Sequence, residues 1–520
     1  MEEMNQIHDV SSLEERPNLL DGFLFVGSMV LGVCFVILFY KKLLGVSFLL
    51  FILAFFLLVF IGFRQKIKFR PLISWFLLFV ILVLASSYFV FASPLFMVLN
   101  FFMILFLIIS HQLLITCFHK SSWDQISFIP EAIFHFFEKT ISGLPRLFQH
   151  SYFSLKSYGD NKQVNTMQKI FIGILVSIPL IFIVIALLAF ADDVFRFYIN
   201  DLLQSIKLAD LFNQLFIFFL VSSLIYGYLW IFKHSRKAEK PYDDWPSNVR
   251  PLKHMDSTIS MTFLFLFNLV YLGFFLVKYA YMFGAINYVL PQGFSPAEYA
   301  RKGFSELLII ALINFVIYVI FIRFKPLAGK AYAFFLNLLI SSLVLFTLAI
   351  LFSAHLRMTL YEAAFGYTYL RLLTHSFMAF LFALIMVALF KVWIQQVPLK
   401  KLYIVLTLLA FILVNYMNID QLIASKNIER YYSSGEIDDN YLQALSYDSF
   451  PELVDFYTQY ESSPPLYLTF HKKYELLSKT QFWPSYNIAR NKAKKALDRF
   501  FQLEEVRTNP FQDRDEKMEF

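Results

Sequence analysis

Four ionisable residues stand where so apolar a chain should carry none: Lys278, Glu306, Arg371 and His375. A histidine and a glutamate within reach of each other can act as general base and acid, and an arginine beside them can clamp an anion. At the outer leaflet of a membrane, that set would suit an enzyme acting on a lipid-linked substrate. His375 would be the base, Glu306 the acid and Arg371 the clamp. Arg357 and Glu362 lie close by, just before and within the stretch YEAAFGYTYLRLLTHSFMAF.

Helical rise sets the depth of these groups. Counted from Lys391, His375 lies about 24 Å and Arg371 about 30 Å up one helix. Glu306 lies about 25 Å above Arg323, and Lys278 about 33 Å above Asp256. Against a hydrocarbon core about 30 Å thick, all four fall in one layer at the extracytoplasmic ends of three helices. Arg371 and His375 share a face with Tyr367. On a straight helix Glu362 points away from Arg371, so Glu306 is the expected partner, with Gly366 as a possible break in the register. The plainer alternative needs no chemistry: long basic side chains snorkel to headgroups, and Tyr279, Tyr281, Tyr367 and Tyr369 form an interfacial aromatic belt.

The elements that carry these residues follow from composition. The 520 residues are 58% hydrophobic and 16% charged, whereas a soluble chain is about 45–50% apolar and about 25% charged. So much apolar surface cannot fit in one core and must face lipid. Runs of roughly 20 apolar residues mark about eleven spans, at 22–40, 43–63, 72–91, 95–118, 168–190, 211–233, 258–283, 305–323, 332–354, 368–391 and 401–418. They are too long and continuous for barrel strands. The expected fold is all-α, a polytopic helical membrane bundle with a small helical C-terminal domain.

Loop charge orients it. RQKIKFR (Arg64–Arg70) and segments 119–169, 233–254, 323–330 and 391–401 alternate onto one side and hold roughly 22 basic residues, against about eight opposite. The positive-inside rule puts them in the cytoplasm. The N-terminus is then inside and the C-terminus outside, with Lys41–Lys42 the exception. The acidic start, residues 1–21, lacks the basic n-region of a signal peptide. Spans 22–118 form a first group of four and 168–418 the main bundle. Segment 119–167 reads as a cytoplasmic or interfacial amphipathic helix bounded by Pro130 and Pro145, or one packed on the spans. After residue 419 the charge density rises and apolar residues recur at i, i+3, i+4, as in packed helices. That domain runs to about 510, with 511–520 a flexible tail.

Specific chemistries lose support. No phosphate-binding, dinucleotide-binding, zincin or nucleophile-elbow motif occurs. Cys34 and Cys117 lie in apolar runs without metal spacing, so neither cofactor nor metal is expected. The basic residues of 233–254 orient the chain rather than bind nucleic acid. Asp192–Asp193 lack the glycine-flanked second aspartate of intramembrane proteases. His111 reads as an interhelical hydrogen bond.

Three stretches, FSPAEYARKGFSELLIIALIN (Phe294–Asn314), RMTLYEAAFGYTYLRL (Arg357–Leu372) and NIDQLIASKNIERYYSSGEIDDNYLQALSYDSFPEL (Asn418–Leu453), resemble blocks of a bacterial family of multi-pass membrane proteins catalogued only as a domain of unknown function. The resemblance covers roughly residues 170–500. It implies a bacterial inner-membrane protein and supplies no activity or site residue. Wealth in Phe, Ile, Lys and Asn suits a low-GC Gram-positive source. The leading functional expectation is a non-enzymatic envelope, signalling or scaffold component in the lipid bilayer, with a protein partner for the C-terminal domain. A transporter or carrier of a lipid or envelope precursor, and the outer-leaflet enzyme, are the alternatives. Transport would want charge at mid-membrane and broken helices in matching halves, and only Pro179 interrupts a span clearly.

Overall fold

A computed structural model describes residues 19–63, 72–116, 121–149, 208–234, 256–284, 304–323, 329–460, 464–479 and 482–508, with parts of 177–197. All regular structure there is helical. Among the described residues nine helices are long and apolar enough to cross a membrane, and a shorter apolar one spans Ser305–Phe321. The protein is a multi-pass helical membrane bundle. Ten of the eleven expected spans coincide with these helices; the other, 168–190, lies largely outside the described residues.

The chain divides into two compact units. In the first, α1 (Leu19–Phe39), α2 (Val46–Phe63), α3 (Leu72–Val90) and the later part of α4 (Pro94–Thr116) join α5 (Phe128–Gly143) and α6 (Leu208–His234). Helices α1 and α6 run antiparallel, with an ion pair at each end. Asp21 meets Lys233 at 2.8 Å, both side chains nearly closed to solvent. At the far end Lys41 meets Asp210 at 2.6 Å on the surface, and Tyr40 donates to the same carboxylate. Lys42 bonds the Ile37 carbonyl at the end of α1. The basic pair that breaks the loop-charge pattern is thus held by an aspartate and by the negative end of a helix. Residues Phe482–Tyr486 belong to this unit, and the Val46 amide donates to the Tyr486 carbonyl at 2.9 Å.

Helix α5 packs one face on α6. Phe128 and Ala132 are buried, while Ile129, Ile133, Phe134, Phe137 and Ile141 stay exposed. The contact needs two glycines. A Cβ on Gly143 would lie 2.5 Å from the Gly227 carbonyl carbon. Gly143→Ala should therefore loosen α5 from α6 and cost about 1–3 kcal/mol, the range for overpacking a tight contact. Thermal unfolding of the purified protein measures it.

The second unit contains α7 (Ser257–Gly284), α8 (Phe304–Arg323), α9 (Lys330–Phe365), α10 (Tyr369–Trp393) and α11 (Leu399–Tyr416), with the start of α4. Leu264, Ala311, Leu343, Ile350, Leu381 and Ile385 form its apolar core. Polar side chains tie the helices: Tyr271 donates to Asn314 at 2.6 Å, and Asn100 to Asn415 at 2.7 Å. Such bonds hold where apolar burial cannot distinguish helix from lipid.

Asn418, with φ 48°, turns the chain out of α11 into the C-terminal helices. These are α12 (Ile419–Ser434), the short α13 (Asp439–Leu442), α14 (Phe450–Gln459), α15 (Pro464–Lys479) and α16 (Ile488–Thr508). Asp438 caps α13 by accepting from the Tyr441 amide at 3.0 Å, and a proline opens α14, as helix starts prefer. Ile423, Phe450, Leu453, Phe470, Leu497 and Phe500 build their core, which also takes in Phe96 and Leu372. The domain and the adjoining ends of α4 and α10 therefore share one apolar core.

Candidate functional site

Helix α9 runs for 36 residues, far beyond the roughly 20 that span a bilayer. It stops at Gly366, whose φ of 81° favours glycine. The Gly366 amide closes the helix by donating to the Glu362 carbonyl at 2.8 Å, and α10 begins three residues later. Glu362 consequently sits on α9 and His375 on α10, facing each other across the corner. His375 Nε2 donates to Glu362 Oε2 at 2.9 Å. His375 Nδ1 faces His355 Nδ1, also at 2.9 Å. Glu362 is buried, its Oε1 has no hydrogen-bond partner, and His355 is exposed. Glu362 does not pair with Arg371, as expected; it meets His375 instead, because the chain reverses between α9 and α10.

Two guanidinium groups close the end of α9. Arg371 donates to the carbonyls of Phe365, at 3.0 Å, and Gly366, and lies 4.3 Å above the Tyr361 ring. Arg430 donates to Ala363 at 3.1 Å and Ala364 at 3.0 Å and pairs with Glu436 at 3.0 Å. Helix ends leave carbonyls unsatisfied and carry negative partial charge, so cations belong there. Asn427 completes the joint. Its Oδ1 accepts from the Tyr367 amide and its Nδ2 donates to the Tyr367 carbonyl, each at 2.9 Å. A Cβ on Gly366 would meet that Oδ1 at 2.6 Å.

A second network binds the turn between α3 and α4. The Ala92 amide donates to Asp448 at 2.7 Å, Asn487 to the Phe91 carbonyl at 2.7 Å, and Ser93 bonds Tyr369 at 3.1 Å. Tyr369 donates to Asp420, which also accepts from the Ser446 amide at 3.0 Å. Burial pushes the Asp448 carboxyl up to about 6, against the bonds from Ala92 and Ser446, and the charge of Asp420 adds to the rise. Burial pushes Lys473 down to about 8; its ammonium lies 4.6 Å from the Phe450 ring and donates to the Leu445 carbonyl at 2.8 Å. Tyr369, one of the expected belt tyrosines, is a member of this network.

The family described as a domain of unknown function, DUF4153, matches residues 78–456. The chain belongs to this family. No curated protein and no solved structure matches it. The match begins earlier and ends sooner than the resemblance read from three blocks, and includes all three. Two of those blocks meet in this DUF4153 protein. Arg357–Leu372 supplies Glu362, Gly366, Tyr367, Tyr369 and Arg371, and Asn418–Leu453 supplies Asp420, Asn427, Arg430 and Asp448. Much of the third block lies outside the described residues.

Three of the four residues of the expected layer have side chains among the described residues, each with its own partners. His375 joins Glu362 and His355, and Arg371 takes the α9 carbonyls. Glu306 is exposed, accepts from Ser305 at 2.9 Å and feels the charge of Arg357. The Glu306–Arg371 pair does not form, because Arg371 is turned to its own corner. Lys278 lies in α7, with its side chain outside the described residues. Elsewhere, His111 Nδ1 bonds Ser74 in the neighbouring helix, 2.8 Å from the hydroxyl. Asp192 caps a helical turn by accepting from the amides of Val194 and Phe195 at 2.8 and 2.9 Å, while Asp193 pairs with Arg196 at 3.3 Å. Among the described residues no group of three or more His, Cys, Asp or Glu side chains is placed to hold a metal ion.

Proposed function

We propose that this protein is a non-enzymatic structural or signalling component of a bacterial cytoplasmic membrane. Its N-terminus lies inside, and residues 419–508 form a partner-binding domain on the outer face. The observation that carries this reading is the joint at the α9–α10 corner. The arginine that an outer-leaflet enzyme would use as an anion clamp instead caps a helix, and Arg430 and Asn427 of the domain complete the same cap. Polar chemistry at this end of the bundle fastens a domain in place. Orientation follows from loop charge.

A protein without native cysteines and carrying Tyr432→Cys, an exposed position on α12, tests the orientation. A membrane-impermeant maleimide should label it in intact cells; labelling only after the cells are broken overturns an outer domain. Glu306→Gln tests the function. The substitution should leave folded level and cellular phenotype unchanged, whereas loss of phenotype at normal folded level would restore an enzyme or a transporter.

A further inference from the structure

We infer that Glu362, His375 and His355 form a proton-uptake site, in which a proton taken from solvent at His355 is passed to His375 and held against Glu362. The bonding dictates the direction. A carboxylate can only accept, so His375 carries its proton on Nε2 and presents a bare Nδ1. His355 must then donate from Nδ1, which leaves its Nε2 as an acceptor on an exposed ring. When a solvent proton bonds to that Nε2, the Nδ1 proton of His355 crosses to His375 Nδ1. One proton has been gained, His355 is neutral in its other tautomer, and the positive charge rests on His375, 2.9 Å from the buried Glu362 carboxylate. Glu362 Oε1 makes no hydrogen bond, so the carboxylate is poorly satisfied until that charge arrives.

The site holds one proton and rejects a second. A doubly protonated pair would set two N–H donors face to face at the 2.9 Å separation of the Nδ1 atoms, and the rings would have to part. The surrounding charges are Arg357 and the ring of Tyr361 on α9, Arg371 on α10, Tyr367 in the turn, Lys426, Glu429 and Arg430 on α12, and Glu306 on α8 beside Arg357. Among the described residues, the carboxylate that bonds the His375 imidazole is that of Glu362. Its carbonyl closes α9 at Gly366, and the next two carbonyls are held by Arg430. Parting of the rings therefore acts on the corner that carries the C-terminal domain. None of this depends on what that domain binds.

Unfolding of the full chain in mixed micelles, followed from pH 8 to pH 4.5, tests the site. The ratio of unfolding constants for Glu362→Gln and the parent should grow about tenfold or more as one proton is taken up, the shift expected for removing a counter-charge in contact. It should shrink again at lower pH as the rings part. A ratio independent of pH overturns the inference and leaves a fixed hydrogen bond. His355→Gln keeps the His375–Glu362 contact and should fold; it should abolish the low-pH decline. If the decline persists in that variant, the relay through His355 is wrong.

Discussion

Lys233→Met should be among the most damaging single substitutions in the first unit, lowering stability by about 3–5 kcal/mol, the cost of stranding one member of a buried pair. Lys233 meets Asp21 at 2.8 Å with side-chain exposures of 9% and 1%, so neither charge has bulk water to turn to. Removing the ammonium leaves a carboxylate at the α1–α6 contact without its neutralising partner. Asp21→Asn combined with Lys233→Met should recover most of the loss, because two neutral side chains of similar volume carry no stranded charge. The exchange Asp21→Lys with Lys233→Asp should recover part of it. The opposite end of the same helix pair gives the control. Lys41 and Asp210 are closer, at 2.6 Å, but open to solvent, with Lys41 exposed and Asp210 partly so, and Lys41→Met should change little, as is usual for surface pairs. Folded yield by size exclusion and thermal unfolding in detergent separate these cases. Equal losses at the two ends would refute the burial argument.

The spans could be read from the sequence because a bilayer imposes a length and a composition that few other segments satisfy. The C-terminal domain was visible for the opposite reason, as a rise in charge with helical periodicity. The polar layer was only partly legible. Its expected depth rested on rise along each helix, which is local information, whereas the groups His375 meets are Glu362 and His355. Partner choice was not local. The pairing of Glu362 with His375 was hidden because spacing on one helix was applied across Gly366, where the chain reverses. His355 sits twenty residues before His375 and came into range only because α9 continues past the membrane-length segment. Arg430 and Asn427 reach the corner from sixty or more residues away. The glycine was the one usable signal: a break after an overlong helix, followed at once by a second apolar helix, marks an antiparallel corner whose ends need capping. Lys41–Lys42, which strained the loop-charge count, was explained only when Asp210 arrived from a distant helix.

Asp448→Asn should make the protein more stable at pH 7, by up to about 3 kcal/mol, and remove the share of its stability change between pH 4 and pH 6 that Asp448 contributes. The sign follows from the direction of the shift. Burial raises the Asp448 carboxyl from 3.8 to about 6, so between those values the folded chain binds more protons than the unfolded one. Stability must then fall as pH rises through this window and stay low above it. The upper limit is the two-unit shift converted at about 1.4 kcal/mol per unit. Asparagine keeps the part of the aspartate that the fold uses. A single oxygen, Oδ2, accepts from the Ala92 amide at 2.7 Å and from the Ser446 hydroxyl at 2.9 Å, and an amide oxygen can accept both. The change removes the charge, which faces Asp420 across Ser446, and puts an amide nitrogen in place of the other oxygen. Asp448→Ala should act in the opposite sense, leaving the Ala92 amide buried and unbonded at a cost of about 1–3 kcal/mol. Lys473, pushed down to about 8, titrates above this window, so the two groups can be told apart in one pH series. If asparagine lowers stability at pH 7 as alanine does, the Asp448 charge is stabilising in place, neutralised by the half-buried Arg490, whose guanidinium interacts with it.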